Sequence, residues 1–213
     1  MIILINGSEK ERYPRLISSM YRLRAKIFQE RLGWDVTVKN GFEIDQFDDI
    51  NPLYLIAVDP TGTHVRGTVR LLPTTGPNML RDVFPMLLPK SEIIESATIW
   101  ECSRFAVDPS IETPMEGHFV SEATGELMAA VIEVGLLAGL TEVMGVFDAR
   151  FIRILRAAGT PPLLVSKPQK IGVCMTSVGL FEVSEQSLAN IQKACGLNGS
   201  VLEAASSQRY FAA

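Results

Sequence analysis

The sequence predicts a single mixed α/β (α+β) domain built on a largely antiparallel sheet with helices on both faces. Three observations predict it. Segments of helical period alternate with segments of strand composition. The first two strand-like segments are joined by a Pro/Gly turn, which makes a hairpin rather than a parallel crossover. The chain has 213 residues, 47% of them apolar, and no linker, repeat or low-complexity run divides them, so one core over residues 1–213 is expected.

The elements follow in order. Residues 8–30 read as a helix, because Leu16, Met20, Leu23 and Ile27 recur at helical spacing and Gly33 follows as a stop. Residues 53–59 (LYLIAVD) and 65–72 read as the hairpin strands, turning at Pro60 to Gly62. Residues 73–89 are a Pro/Gly-punctuated loop with a short apolar segment at Val83 and Phe84. Residues 97–107 (ATIWECSRFAV) read as a central strand ended by Asp108-Pro109. A long helix is expected over 118–140, a buried strand over 142–148, and a short helix over 149–158 closed by Gly159. Strands at 161–165 and 171–183 and a final helix at 185–195 complete the chain.

Twenty Lys and Arg stand against 24 Asp and Glu, a formal charge of −4, which points away from general nucleic-acid binding. Cys102, Cys174 and Cys195 are too few and scattered for a disulfide scaffold or a zinc site. They read as reduced thiols of a cytoplasmic protein. The opening MIILINGSEK lacks the pattern of a signal peptide. Uncharged runs fall short of the roughly 18 residues of a membrane span. With only His64, a turn residue, and His118 in the chain, a carboxylate is the natural general base.

Charge also sits where packing would prefer none. Arg24 and Phe28 lie one turn apart on the first helix, and Gly33-Trp34 through Glu43, Asp45 and Asp48 forms a polar loop. In IWECSRF, strand alternation places Glu101 and Ser103 on one face and Arg104 on the other. Arg70 ends the second hairpin strand. Arg24, Arg70 and Arg104 against Asp45, Asp48 and Glu101 make three charges of each sign. Buried, such a set must pair. It reads either as an ion-pair network pinning the loop to the sheet or, beside Phe28 and Trp34, as a site for a zwitterionic aromatic ligand.

RLRAKIFQERLGW, EIDQFDD, VRLLPTTGPNMLRDVFP and WECSRFAVD resemble, in order, the successive blocks of the acyl-homoserine lactone synthases, the LuxI-type autoinducer synthases. The blocks span roughly half the chain, and the recurrent family positions match as Arg24, Phe28, Trp34, Asp45, Asp48, Arg70, Phe84, Glu101 and Arg104. The resemblance implies an N-acetyltransferase-like three-layer sandwich. It implies S-adenosylmethionine and an acyl thioester as substrates, with the lactone, methylthioadenosine and the free thiol carrier as products. No metal and no cofactor is implied.

That chemistry assigns expected roles. Glu101 is the base for amide formation, directly or through a water. Asp45 binds the substrate ammonium, and Arg24 or Arg104 clamps its carboxylate. Asp48 and Arg70 read as scaffold. Phe28 and Trp34 cover adenine and sulfonium; Phe84 caps the site or anchors its loop; Ser103 donates to the thioester carbonyl. Lactone closure needs only a carboxylate held in line.

The acyl pocket is expected from Trp100, Phe105, Met128, Met144, Gly145, Phe147 and Leu155, with Met79, Leu80, Cys102, Val143 and Val146 as further candidates. Gly145 aligns where relatives taking 3-oxo chains often carry Thr; Thr141 lies four residues earlier. Arg150, Arg153 and Arg156 form a basic stripe on the short helix, with Lys167 and Lys170 nearby. The stripe suits an acidic acyl carrier protein or the phosphates of coenzyme A. No nucleic acid or membrane partner is expected. The alternatives are an acetyl-coenzyme A N-acetyltransferase, whose closely spaced glycines are missing after Arg104, and a non-catalytic binding protein.

Overall fold

The chain begins with a strand that the periodicity does not mark: β1, Ile2–Asn6, is a short apolar run paired antiparallel with β4, Leu53–Val58. In this computed structural model, residues 1–88, 92–110, 120–164, 166–171 and 173–211 are described. His118 lies outside them.

The helix expected over residues 8–30 is three pieces. Pro14, lacking an N–H, occupies the first turn of α1, Pro14–Arg24, and a separate 3-10 turn, Gly7–Arg12, precedes it. The helix then widens into a π-helical segment, Ala25–Arg31, and stops at Gly33, whose φ is +63°. A small hairpin of β2, Val38–Lys39, and β3, Phe42–Glu43, leads through the 3-10 turn Gln46–Asp49 into β4. The predicted hairpin is β4 with β5, Val65–Pro73. The loop after it holds a short helix, α2, Met79–Asp82, capped by Asn78.

Then come β6, Ile99–Val107, and α3, Glu122–Leu137, followed by β7, Glu142–Asp148, and α4, Ala149–Ala157. The C-terminal strands are β8, Leu163–Leu164, β9, Gln169–Ile171, and β10, Cys174–Glu182. The helix α5, Glu185–Cys195, is not the last; α6, Ala204–Phe211, follows and packs near β1. Its eight residues are too few for a clear periodic signal.

The sheet runs β1-β4-β5-β6-β7-β10-β8, with β9 beside β10. Neighbouring strands in it are antiparallel except β6 and β7. The parallel pair is short: Ile99 to Cys102 face Glu142 to Gly145. Beyond that point β6 follows β5 and β7 follows β10, so the two strands part.

On one face α3 is buried nearly all round and packs with Leu55, Val69, Leu71 and Val143. Full burial of a side chain such as Leu127 contributes about 1.5–3 kcal/mol. On the other face, Ile17, Met20 and Tyr21 of α1 meet Tyr54, Ile56 and Val58. The expected sandwich of helices on both faces is therefore present.

Candidate active site

The charged residues converge on the α1 face of the sheet. Arg24 is fully buried; its Nε donates to Glu43, and its Nη1 and Nη2 donate to the two oxygens of Asp48, both at 2.8 Å. Arg70 donates to both oxygens of Asp45, to Asp48 at 3.0 Å and to the Ser103 hydroxyl at 3.2 Å. Arg104 lies against Glu43 at 2.9 Å and Asp45 at 2.8 Å. Among the described residues its Nη1 meets the thioether of Met79, at 3.2 Å, a weak acceptor.

Local structure sets this geometry. Asp45 and Asp48 form a capping box at the 3-10 turn, so the loop that carries them is rigid before any ligand arrives. Burial alone would raise the Asp48 carboxyl. The Arg24 hydrogen bonds and the charges of Arg24 and Arg70 outweigh it and hold the group well below the usual carboxylate range.

Arg104 does not face away from Glu101 and Ser103. Arg70 pairs with Ser103 but Thr68 with Ala106, so Arg104 and Phe105 together oppose Val69. This is a β-bulge. Arg104 is its extra residue, at φ +54°, a conformation that costs an L-residue on the order of 1–2 kcal/mol. The bulge turns its guanidinium onto the Ser103 face and leaves Cys102 and Phe105 on the other.

The charge set also differs from the predicted one. Glu43, fully buried, takes the place of Glu101 among the guanidiniums. Its signal was period-two spacing: Glu43 and Asp45 point inward while Ile44 between them is 41% exposed. Glu101 stands apart, accepting the backbone N–H groups of Met79 at 3.0 Å and Leu80 at 2.8 Å. Burial pushes its carboxyl above the ordinary value, against those two donors and the charges of Arg70 and Arg104. Three guanidiniums are thus paired with three carboxylates, Glu43, Asp45 and Asp48, and Glu101 is a fourth carboxylate outside the pairs.

Phe28, buried, stacks on half-buried Trp34 with centroids 5.2 Å apart, and the Arg104 guanidinium lies 5.3 Å from its ring centre. Phe84 bridges two apolar groups, one with Met79 and Phe47 and one with Leu80 and Met144.

The opposite face holds an apolar cavity. Of the predicted pocket residues, Phe105, Met128 and Leu155 line it, as do Cys102 and Val143. A methyl group on Gly145 would touch Phe147 and Phe181 at 3.5 and 3.6 Å, at the cavity edge. Trp100 packs against the α3 core outside it. Met144 and Val146 do not line it: strand alternation turns them to the other face, beside Leu80 and Val178. Met79 and Leu80 lie on that face too. Thr141 is exposed and bonded to Thr98. The sequence reading missed Val131, Ile132, Phe151, Thr160, Phe181 and Ile191 in the lining; Phe181 was legible as the partner of Val143 across the β10–β7 ladder. Arg150, Arg153 and Arg156 project to solvent from α4, whose Leu155 is buried, and Lys167 and Lys170 are also exposed.

Comparison with known proteins places this arrangement. The profile of the family described as autoinducer synthase matches residues 8–191. An acyl-homoserine-lactone synthase of Agrobacterium fabrum is 36% identical over 190 residues, covering 89% of this chain and 90% of that protein. A solved CoA-dependent acyl-homoserine lactone synthase, BjaI, bound to SAM and isopentyl-CoA, superposes with a TM-score of 0.83 at 27% identity. It covers 95% of this chain and 92% of its own. The synthase LasI gives 0.77 at 28% identity, over 93% and 98% of the two chains. With the family profile spanning most of its length and its paired charges set beside an apolar cavity, the chain belongs to the autoinducer synthases, the acyl-homoserine-lactone synthase family of acyltransferases.

Proposed function

We propose that this chain makes an N-acyl-homoserine lactone from S-adenosylmethionine and an acyl thioester, releasing methylthioadenosine. The observation that carries this reading is Glu101, a buried carboxylate with no arginine partner beside a network whose three Arg–acid pairs already balance. S-adenosylmethionine carries an ammonium, a sulfonium and one carboxylate, a net charge of +1, and so balances Glu101. The SAM and isopentyl-CoA bound to BjaI support the same pair of substrate classes.

The residues divide the work. Asp45, at 16% the most exposed of the three acids paired with arginine, receives the ammonium. The Nη1 of Arg104 exchanges the Met79 thioether for the substrate carboxylate, a far better acceptor. Arg24, its fork committed to Asp48 and its Nε to Glu43, stays scaffold with Asp48 and Arg70. Trp34 covers the adenine, with Phe28 supporting it from below. Glu101, raised above its ordinary value, takes a proton from the ammonium directly or through a water, and the freed amine attacks the thioester carbonyl. Ser103 donates to that carbonyl. The carboxylate held by Arg104 then attacks its own γ-carbon and expels methylthioadenosine, a step that needs positioning alone.

The carrier is an acyl carrier protein, received by the exposed arginines of α4. The likeness to CoA-dependent BjaI favours coenzyme A as a second reading. The test is purified protein with S-adenosylmethionine and matched acyl groups on both carriers, followed by mass spectrometry of lactone and methylthioadenosine. Release of neither product with any thioester rejects the proposal. Glu101→Gln is expected to lower turnover roughly 100-fold or more with S-adenosylmethionine affinity kept within a few-fold.

A further inference from the structure

The segment Pro73 to Leu80 (PTTGPNML) joins β5 to α2 as a closed turn. Thr74 is fully buried; its hydroxyl donates to the Ile99 carbonyl at 2.8 Å and accepts the Ser96 N–H at 3.0 Å, which ties the turn to the start of β6. Asn78, also buried, bonds through every polar atom it has. Its Nδ2 donates to the Thr74 carbonyl at 3.3 Å and to the Gly76 carbonyl at 3.0 Å. Its Oδ1 accepts the Arg81 N–H at 3.0 Å. Its own N–H donates to the Asp82 carboxylate at 3.1 Å, and its carbonyl accepts the Asp82 N–H at 3.0 Å.

The product of this bonding is a pair of aimed donors. The N–H groups of Met79 and Leu80 open α2, where a helix offers them no acceptor of its own, and each takes one oxygen of Glu101, at 3.0 and 2.8 Å. The same turn sets the Met79 thioether 3.2 Å from Arg104 Nη1, so one segment touches both the base and the carboxylate clamp of the proposed reaction. The residue type at 78 is specific. Ser or Asp would cap the turn, but Ser has a single donor and an ionised Asp has none for the two carbonyls behind it. Asp would also set another negative charge beside a buried carboxylate. Asn closes the turn from both sides without charge.

The charged and titratable groups around Glu101 are Arg70 from β5, Arg104 and the Cys102 thiol from β6, and Arg81 and Asp82 of the turn itself; β7 brings Met144 alongside. Arg70 and Arg104 share their charge with Asp45 and Glu43. Burial pushes the Glu101 carboxyl up, and the Met79 and Leu80 N–H groups pull against it harder than either arginine does.

We propose that Asn78 is the positioning residue of Glu101: it holds the Met79 and Leu80 N–H groups on the carboxylate, and thereby fixes the direction the carboxylate faces and its readiness to take a proton. The inference rests on the reading of Glu101 as the base for its kinetic test, and a titration that needs no turnover separates the two.

The experiment compares wild type with Asn78→Ala. For S-adenosylmethionine, kcat/KM is followed by methylthioadenosine release from about pH 5 to about pH 9. Without the cap the two donors drift from Glu101. The acid limb of the profile is expected to move up by about one unit, the worth of one hydrogen bond to a charged group. Turnover then falls roughly tenfold at low pH and returns toward wild type at high pH. In parallel, Glu101 is titrated directly by NMR of protein isotope-labelled at the glutamate carboxyl carbons, its signal identified by its absence in Glu101→Gln. That titration is expected to rise by about one unit in Asn78→Ala. A role confined to stability would lower Tm and move neither. A Glu101 titration that the substitution leaves unmoved overturns the proposal. A raised titration with an unmoved kinetic limb supports the hold of Asn78 on Glu101 and rejects Glu101 as the base, which is a failure of the synthase mechanism instead. Should Asn78→Ala not fold, Asn78→Ser, which keeps a cap acceptor and loses the amide donors, is read by the same two criteria.

Discussion

Replacing Asp48 with Asn removes one negative charge from a point where five donors converge. Oδ1 accepts from Arg24, Arg70 and the Tyr54 hydroxyl, and Oδ2 from Arg24 and the Asp45 N–H. An amide keeps one acceptor and turns an N–H₂ toward donors wherever it is placed. The remaining acids paired with Arg24, Arg70 and Arg104 are then Glu43 and Asp45, so three buried cations face two anions. Removing one partner of a buried pair costs about 3–5 kcal/mol, and for a chain of this size that lowers Tm by roughly 6–20 °C. Chemical denaturation supplies ΔG and m, and the midpoint is expected to fall with m unchanged. The pH dependence has a definite sign. Asp48 is held below its usual range when folded, so its contribution is present above the unfolded carboxylate value and is lost as pH falls. The wild-type advantage over Asp48→Asn should therefore shrink progressively below about pH 5. A loss under about 1 kcal/mol at pH 7, or a difference that does not shrink with acid, refutes the account of Asp48 as the buried keystone of the loop.

Three further outcomes are expected. Asp45→Asn should raise the KM for S-adenosylmethionine roughly tenfold or more while lowering Tm less than Asp48→Asn, because water reaches its carboxylate; the opposite ranking would assign Asp45 to scaffold. Cys102 should resist iodoacetamide at pH 8 while the unfolded chain is alkylated, since its thiol is pushed up to about 12, and Cys102→Ala should keep turnover; intact-mass spectra and product assays check both. Arg150→Glu combined with Arg153→Glu should cut kcat/KM for an acyl carrier protein substrate at low salt, with the deficit narrowing at about 0.5 M salt. Unchanged values would remove this face from carrier recognition.

Elements with long periods or clear breakers were legible: β7 and α5 begin and end where their patterns do. What was hidden has physical causes. The first helix was expected to start at residue 8, but its apolar face begins only at Leu16, and Pro14 just before it marks the true start. β1 is held by β4 and α6 by β1, information that a short window lacks. At the site, the residue types were readable but the partnerships were not. A single bulge at Arg104 reversed its predicted face, and Glu101 left the ion-pair count because it accepts the Met79 and Leu80 N–H groups instead. Thr160 gave no signal at all, because a hydroxyl draws notice only once its surroundings are known to be apolar.

The parting of β6 and β7 beyond Cys102 and Gly145 has a kinetic consequence. The charged network and the apolar cavity occupy opposite faces of one sheet, on either side of the point where the β6–β7 pairing ends. On the function proposed above, the amine nucleophile on one face and the acyl group on the other would meet there without sharing an entrance. Neither substrate needs to wait for the other, and no enzyme group has to carry the acyl chain across. Initial-rate patterns should therefore intersect, as for random addition to a ternary complex, rather than run parallel as in a double-displacement scheme.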